Sequence, residues 1–248
     1  MGISIQSAEI MNHLKLFLFS FALVLFSIKI HAQSHYKVTD YGVIGDTKTS
    51  NTKALQNLID RVSQNGGGKI IFPSGTYLTG SIEIKDNVEL HFENQATLLG
   101  SKNPFDYKKI ESKDTLSLQN NTALISAHLR NNIKITGKGT INGQGGYVAL
   151  AMDSLYYADP VSYYKIAESY NERRKRPNEG GRPNLIYFNQ TNNIQIKGVT
   201  IKNGAEWVTK IELCDTVEID NIKLKSDVYW NNDGIDLVDS KNIRITNS

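Results

Sequence analysis

Six consecutive residues, Asn231-Asn232-Asp233-Gly234-Ile235-Asp236, gather most of what this sequence offers for chemistry. Two carboxylates can accept or hold a proton, two amides can orient a hydroxyl-rich ligand, and the glycine lets the backbone turn among them. A carboxylate beside a glycosidic bond can activate water, but hydrolysis by single displacement also needs a carboxylic acid on the other side of that bond. Asn-Asp-Gly is equally a favoured turn tripeptide, because Asn and Asp tolerate unusual dihedrals and Gly adopts positive φ. Residue type alone leaves the turn and the catalytic site both open.

The remaining reactive residues narrow the chemistry. The single cysteine, Cys214, rules out an internal disulfide and a multi-cysteine metal site, and its neighbours Ile211-Glu212-Leu213 mark it as a buried strand residue. The five histidines (His13, His31, His35, His91, His128) have no paired spacing and no Ser or Cys nucleophile motif beside them. No metal-ligand cluster and no phosphate loop is legible, so no cofactor and no metal is expected. Arg173-Arg174-Lys175-Arg176 could attract an acidic polysaccharide or could be a solvated face. Tyr163 and Tyr164 could stack on a sugar or staple the chain locally, and Trp207 reads as a packing residue at a turn.

Short Val/Ile strands must position the Asp233 cluster. The signature Asn-apolar-x-apolar recurs at Asn87-Val88-Glu89-Leu90, Asn132-Ile133-Lys134-Ile135, Asn193-Ile194-Gln195-Ile196 and Asn242-Ile243-Arg244-Ile245, with Thr216-Val217-Glu218-Ile219 a close variant. From Val88 to Ile243 the successive spacings are 45, 61, 23 and 26 residues. With a unit of about 23 residues, the first gap reads as two units and the second as one unit plus a loop insertion over about residues 144–181. Strands at this period without intervening helices describe a solenoid, and the Ile/Val usage favours a right-handed parallel β-helix over leucine-rich repeats. One strong helical pattern, Ala54, Leu55, Leu58, Ile59 and Val62, follows Asn51 as candidate N-cap and stops at Gly66-Gly67-Gly68. It is expected to cap the N-terminal end of an all-β domain. By strand parity Ile235 and Leu237 face inward and Asp236 outward, with Asp233 at the strand's start.

Residues 1–32 read as a secretory signal peptide, with Met11 a candidate initiator, a basic head at His13-Leu14-Lys15, an apolar run from Leu16 to Ile28 and cleavage after Ala32. The run is short of the roughly 20 residues a membrane span needs, although an N-terminal anchor is the competing reading. Residues 33–248 are then one domain that is secreted, periplasmic or at the cell surface. The formal net charge of +3 falls by one when the leader, with Lys15, Lys29 and Glu9, is removed. That balance creates no field for nucleic acid, and no stable membrane insertion is expected.

An ordered set of motifs carries a resemblance from about Tyr36 to Ser248. It runs through Asp40-Tyr41-Gly42-Val43-Ile44-Gly45-Asp46, the capping helix, Pro73-Ser74-Gly75-Thr76-Tyr77, Gly139-Thr140-Ile141-Asn142-Gly143-Gln144-Gly145, Arg182-Pro183, Trp207 and Asn231–Asp236. In that order they resemble glycoside hydrolase family 28, the polygalacturonases and their relatives, which are pectin-degrading right-handed parallel β-helices. The resemblance implies that Asn231-Asn232-Asp233 matches the family's Asn-Thr-Asp motif, with Asn232 in place of Thr. Asp233 would then be one of three catalytic aspartates, on the water-activating side of an inverting hydrolase, with Asn231, Asn232 and Asp236 binding substrate or supporting the site. The family's Gly-Asp-Asp, Gly-His-Gly and Arg-x-Lys motifs lie further toward the C-terminus, and none follows Asp233 here. Where the family often has tryptophans after Gly-Gln-Gly, this chain has Gly146-Tyr147. The expectation is an N-terminal portion of a secreted hydrolase of a uronic-acid-containing plant polysaccharide (pectin or galacturonan), monomeric when intact and inactive as these 248 residues alone. A polysaccharide lyase on the same scaffold, with calcium and a Lys or Arg base, and a non-catalytic carbohydrate-binding β-helix are the alternatives.

Overall fold

Each asparagine of the repeated signature turns the chain by taking a left-handed backbone conformation: φ is 62° at Asn87, 58° at Asn132, 55° at Asn193 and 55° at Asn242, with Thr216 at 59°. Asparagine is one of the few residues that enters this region at modest cost. At two corners the amide then donates to the equivalent asparagine of the preceding coil, Asn132 Nδ2 to Asn87 Oδ1 at 2.9 Å and Asn193 Nδ2 to Asn132 Oδ1 at 2.6 Å, whereas Asn242 Nδ2 donates to Asp215 Oδ1 at 2.7 Å. The repeat visible in the sequence is therefore a column of corners that share one left-handed conformation.

The computed structural model describes residues 34–110, 121–165 and 181–248, with the backbone of Tyr170–Asn171 and Arg176–Pro177. The predicted leader and the Arg173–Arg176 side chains lie outside the described residues. From Gly68 the chain winds through coils that each give one strand to each of three parallel sheets. The first coil has β2 (Gly68–Phe72), β3 (Gly75–Thr79) and β4 (Ile82–Glu83), with β1 (His35–Lys37) paired before it. The second has β5 (Val88–Phe92), β6 (Ala96–Gly100) and β8 (Thr122–His128), with β7 (Lys108–Lys109) antiparallel on β8. Next come β9 (Asn131–Gly137), β10 (Thr140–Asn142) and β13 (Asn184–Asn189), after the small antiparallel pair β11 (Tyr170–Asn171) and β12 (Arg176–Pro177). Then follow β14 (Asn192–Lys197), β15 (Thr200–Lys202) and β16 (Thr209–Glu212), and β17 (Asp215–Asp220), β18 (Lys223–Lys225) and β19 (Ile235–Val238). Strand β20 (Lys241–Thr246) lies on β17. This is the predicted right-handed parallel β-helix.

Register builds the core. Ile70, Leu90, Ile135, Ile196, Ile219 and Ile245 form one in-register column, and Ile133, Ile194, Val217 and Ile243 form another. Phe72 stacks on Phe92 with ring centroids 4.5 Å apart. Helix α1 (Thr52–Gln64) buries Leu55, Leu58, Ile59 and Val62 against the first coil and closes that end of the core. Gln56 ties α1 to β4, donating to the Glu83 carbonyl at 3.1 Å and accepting from the Glu83 amide at 2.8 Å.

Three expectations need correction. The 45-residue spacing between Val88 and Ile133 is one coil and not two, because β5 pairs directly with β9. The extra length is an excursion after Gly100 that carries β7. Asn51 stands at the N-cap position but makes no side-chain bond to the helix. Its buried amide instead joins loops, donating to Ile44 O at 2.9 Å, Thr49 O at 3.0 Å and Leu78 O at 3.2 Å. The insertion expected as a loop opens with two helices, α2 (Gly145–Ala158) and α3 (Pro160–Tyr163). Its Ala, Leu and Met residues favour helix, but they lack the one-sided apolar spacing that would have marked an amphipathic helix. Tyr163 is fully buried beside Met152, edge-on to Tyr156 and Tyr164, so it packs the insertion and offers no face to a sugar. Among the described residues no helix is long and apolar enough to cross a membrane.

Candidate active site on the third sheet

Strand β19 lies on β16 with Thr209 opposite Ile235, Lys210 opposite Asp236 and Ile211 opposite Leu237. Ile211 is a core residue, so Lys210 and Asp236 project from the outer face of the sheet. Asp233 is exposed just before the strand, where its carbonyl accepts the Val208 amide at 2.8 Å. The ladder therefore already holds the backbone at Asp233, while the carboxylate reaches solvent. Ile235 packs on the core as expected; Leu237, above fully buried Ile211, is 45% exposed on the end face of the stack.

The two amides are spent on the scaffold. Asn231 sits at φ 56° and donates to Glu206 Oε1 at 2.7 Å. Asn232 is buried and donates to the carbonyls of Gly204 at 2.9 Å and Glu206 at 2.7 Å, while its Oδ1 accepts from Val228 N at 3.4 Å. Asn232 thus gives the turn two donor bonds to the coil beneath it, which a side-chain hydroxyl with one proton could not make.

Asp236 is the electrostatically perturbed member. Burial, and then the negative charge of Asp233, push its carboxyl up to about 6, against an opposing pull from Lys210. Its Oδ2 is buried with no hydrogen-bond partner. Beside it lies a buried polar patch that sequence reasoning missed. Lys210 Nζ is 3.6 Å from Glu212 Oε2 and 4.4 Å from the centre of the Tyr187 ring. Burial draws the Lys210 ammonium below the ordinary lysine value, although Glu212, Asp236 and Glu206 all act to raise it. Glu212 Oε2 also accepts from the Tyr187 hydroxyl and from Asn189 Nδ2, the latter at 3.1 Å, and Asn189 Oδ1 meets His128 Nδ1 at 2.9 Å. A signal for this patch was present: Lys210 and Asp236 are separated by the same interval as Val217 and Ile243, one coil.

Further along this sheet, between α1 and β8, is a groove of about 790 Å3 whose lining includes Lys53, Lys85, Lys108, Lys109 and Arg130, with Asp60 and Glu83 as its acids. Cations prevail there. The sheet thus presents carboxylates at one end and a cationic groove at the other. Among the described residues no group of three or more His, Cys, Asp or Glu side chains could hold a metal ion.

The family model described as glycosyl hydrolases family 28 matches residues 63–248. An exo-poly-alpha-D-galacturonosidase of Dickeya chrysanthemi is 30% identical over 241 residues, covering 85% of this chain and 39% of the relative. A probable polygalacturonase of Vitis vinifera is 26% identical over 230 residues, covering 88% of this chain and 42% of the relative. The chain therefore spans about two fifths of the length of these curated relatives. The solved family 28 exopolygalacturonase of Yersinia enterocolitica superposes with a TM-score of 0.72 at 25% identity, covering 87% of this chain and 43% of that one.

Proposed function

We infer, because this chain belongs to glycosyl hydrolases family 28, that the protein hydrolyses glycosidic bonds of a galacturonan-type plant polysaccharide by single displacement. The observation that carries this reading is Asp233: an exposed carboxylate on a backbone pinned to the neighbouring coil, with a second outward carboxylate three residues on. In the reaction Asp233 accepts a proton from water as the water oxygen attacks the anomeric carbon. The bond to the leaving oxygen breaks on the opposite face, and that oxygen takes a proton from a carboxylic acid. By the family resemblance this acid belongs to a motif C-terminal to Asp233. Asp236 supports the site, holding a proton below about pH 6 and limiting the negative charge beside Asp233. The cationic groove favours an acidic polymer over a neutral one.

We extend the proposal to residues 1–32 as a cleaved secretory leader and to residues 33–248 as part of one extracytoplasmic β-helix domain. The protein is expected to release reducing ends from polygalacturonate, and no release in a reducing-sugar assay would overturn the hydrolase reading. Asp233→Asn should lower kcat by roughly 10²–10⁴-fold, the range typical of general acid–base groups; an unchanged kcat would remove Asp233 from the mechanism.

A further inference from the structure

The turn that carries Asp233 is gripped by a buried ion pair that the proposed chemistry does not use. Arg182 precedes β13, Glu206 precedes β16 and Asn231 precedes β19, so the three belong to successive coils of the third sheet. Arg182 is 2% exposed and Glu206 4%. Arg182 Nη2 lies 2.9 Å from Glu206 Oε2, and Nη1 donates to the carbonyls of Ala205 at 3.1 Å and Trp230 at 2.9 Å. The guanidinium carbon is 3.8 Å from the centre of the Trp230 ring and 5.2 Å from that of Tyr229. Glu206 passes the contact on, its other oxygen accepting the Asn231 amide at 2.7 Å. The Tyr229 hydroxyl in turn bonds Asp153 of α2. The start of α2 lies so close to the same region that a Cβ on Gly145 would meet Gly204 O at 2.0 Å.

We propose that Arg182 is a positioning residue for Asp233, acting through Glu206, Asn231 and the Trp230 carbonyl to hold the Tyr229–Asp233 turn in its working place. The claim rests on the reading of Asp233 as the water-activating carboxylate. A buried ion pair is a poor device for stability alone, because its desolvation offsets much of its attraction and an apolar pair of similar volume often holds a fold as well or better. An apolar pair cannot bind two carbonyls, a carboxylate and an aromatic face from one rigid plane. Arginine can, and lysine, with a single ammonium, cannot reproduce that fork. What the fork determines is the path of the backbone through Trp230 and Asn231, by fixing the Trp230 carbonyl directly and the Asn231 amide through Glu206.

The test compares Arg182→Lys and the apolar double variant Arg182→Met/Glu206→Leu with the unmodified chain. One readout needs no substrate: hydrogen exchange of the Val208 amide, which donates to the Asp233 carbonyl. Both variants should exchange there about tenfold faster or more, with the Ile196 and Ile219 strands unchanged, as expected of local release. On polygalacturonate kcat should fall by about 10²-fold while KM stays within about threefold, because misplacement of a reacting group acts on the chemical step. Unchanged exchange at Val208 would overturn the proposal. Loss of protection throughout the core would also overturn it, since the pair would then be only structural. So would faster exchange with undiminished kcat. If no form of the protein cleaves a galacturonan, the functional reading fails by itself, and the exchange result still decides whether Arg182 places the Asp233 turn.

Discussion

Asp233 and Asp236 are three residues apart and have different environments. Asp233 is exposed at the strand's start, whereas Asp236 is half-buried between a like charge and the ammonium of Lys210. A carboxyl raised from 3.8 to about 6 binds its proton more tightly in the folded than in the unfolded chain. The native state therefore carries more protons between those values, and stability falls as pH rises through that window. The melting temperature of Asp236→Asn should exceed that of the unmodified protein most at pH 7, and the two should converge near pH 4. A constant difference across that range would show that Asp236 is not perturbed by its site. That Asp236 faces outward was legible from strand parity; its raised pKa was not, because its largest cause is burial, which comes only from the stacking of the coils.

At the scale of the element, the corner asparagine and the inward isoleucine have separable costs. Asn193 combines a left-handed backbone with a ladder bond to Asn132. Asn193→Ala should cost about 1–2 kcal/mol for the strained backbone, and Asn193→Gly less, because glycine keeps the conformation and loses only the bond. Equal losses in denaturant melts would contradict the backbone account. Ile196, fully buried between Ile135 and Ile219, should cost about 2–5 kcal/mol when cut to alanine. The strands and α1 were legible because alternation and one-sided spacing are local properties of the chain. Helix α2 was not, since its buried residues divide their contacts: Val148 joins the main core, Met152 packs with Tyr163 of the insertion, and Gly145 meets the corner at Gly204.

At the scale of the whole molecule, the stacked coils share one core running from α1 to β20. Cys214 is buried at a corner of that core, its Sγ near the carbonyls of Phe188 and Glu212, and burial pushes its thiol up to about 11. It should resist thiol-labelling reagents in the native state and label in step with global unfolding, as followed by circular dichroism across a denaturant series. Labelling well before the global transition would show that the fourth and fifth coils open independently of the rest.

The sequence by itself determined the β-helix, the position of its corners, the capping helix and the strand parity that turns Asp236 outward, because each is written in spacings of a few residues or in a repeated signature. Only the tertiary structure decided how many coils the 45-residue spacing holds and what Asn51, Asn231 and Asn232 bond to. It also brought Arg182 and Glu206 to the Asp233 turn and set Lys210 opposite Asp236. Those relations join residues one or two coils apart, and coil length varies with each excursion. Which side chains meet across the stack is therefore set by register, which the chain acquires only when the coils pair.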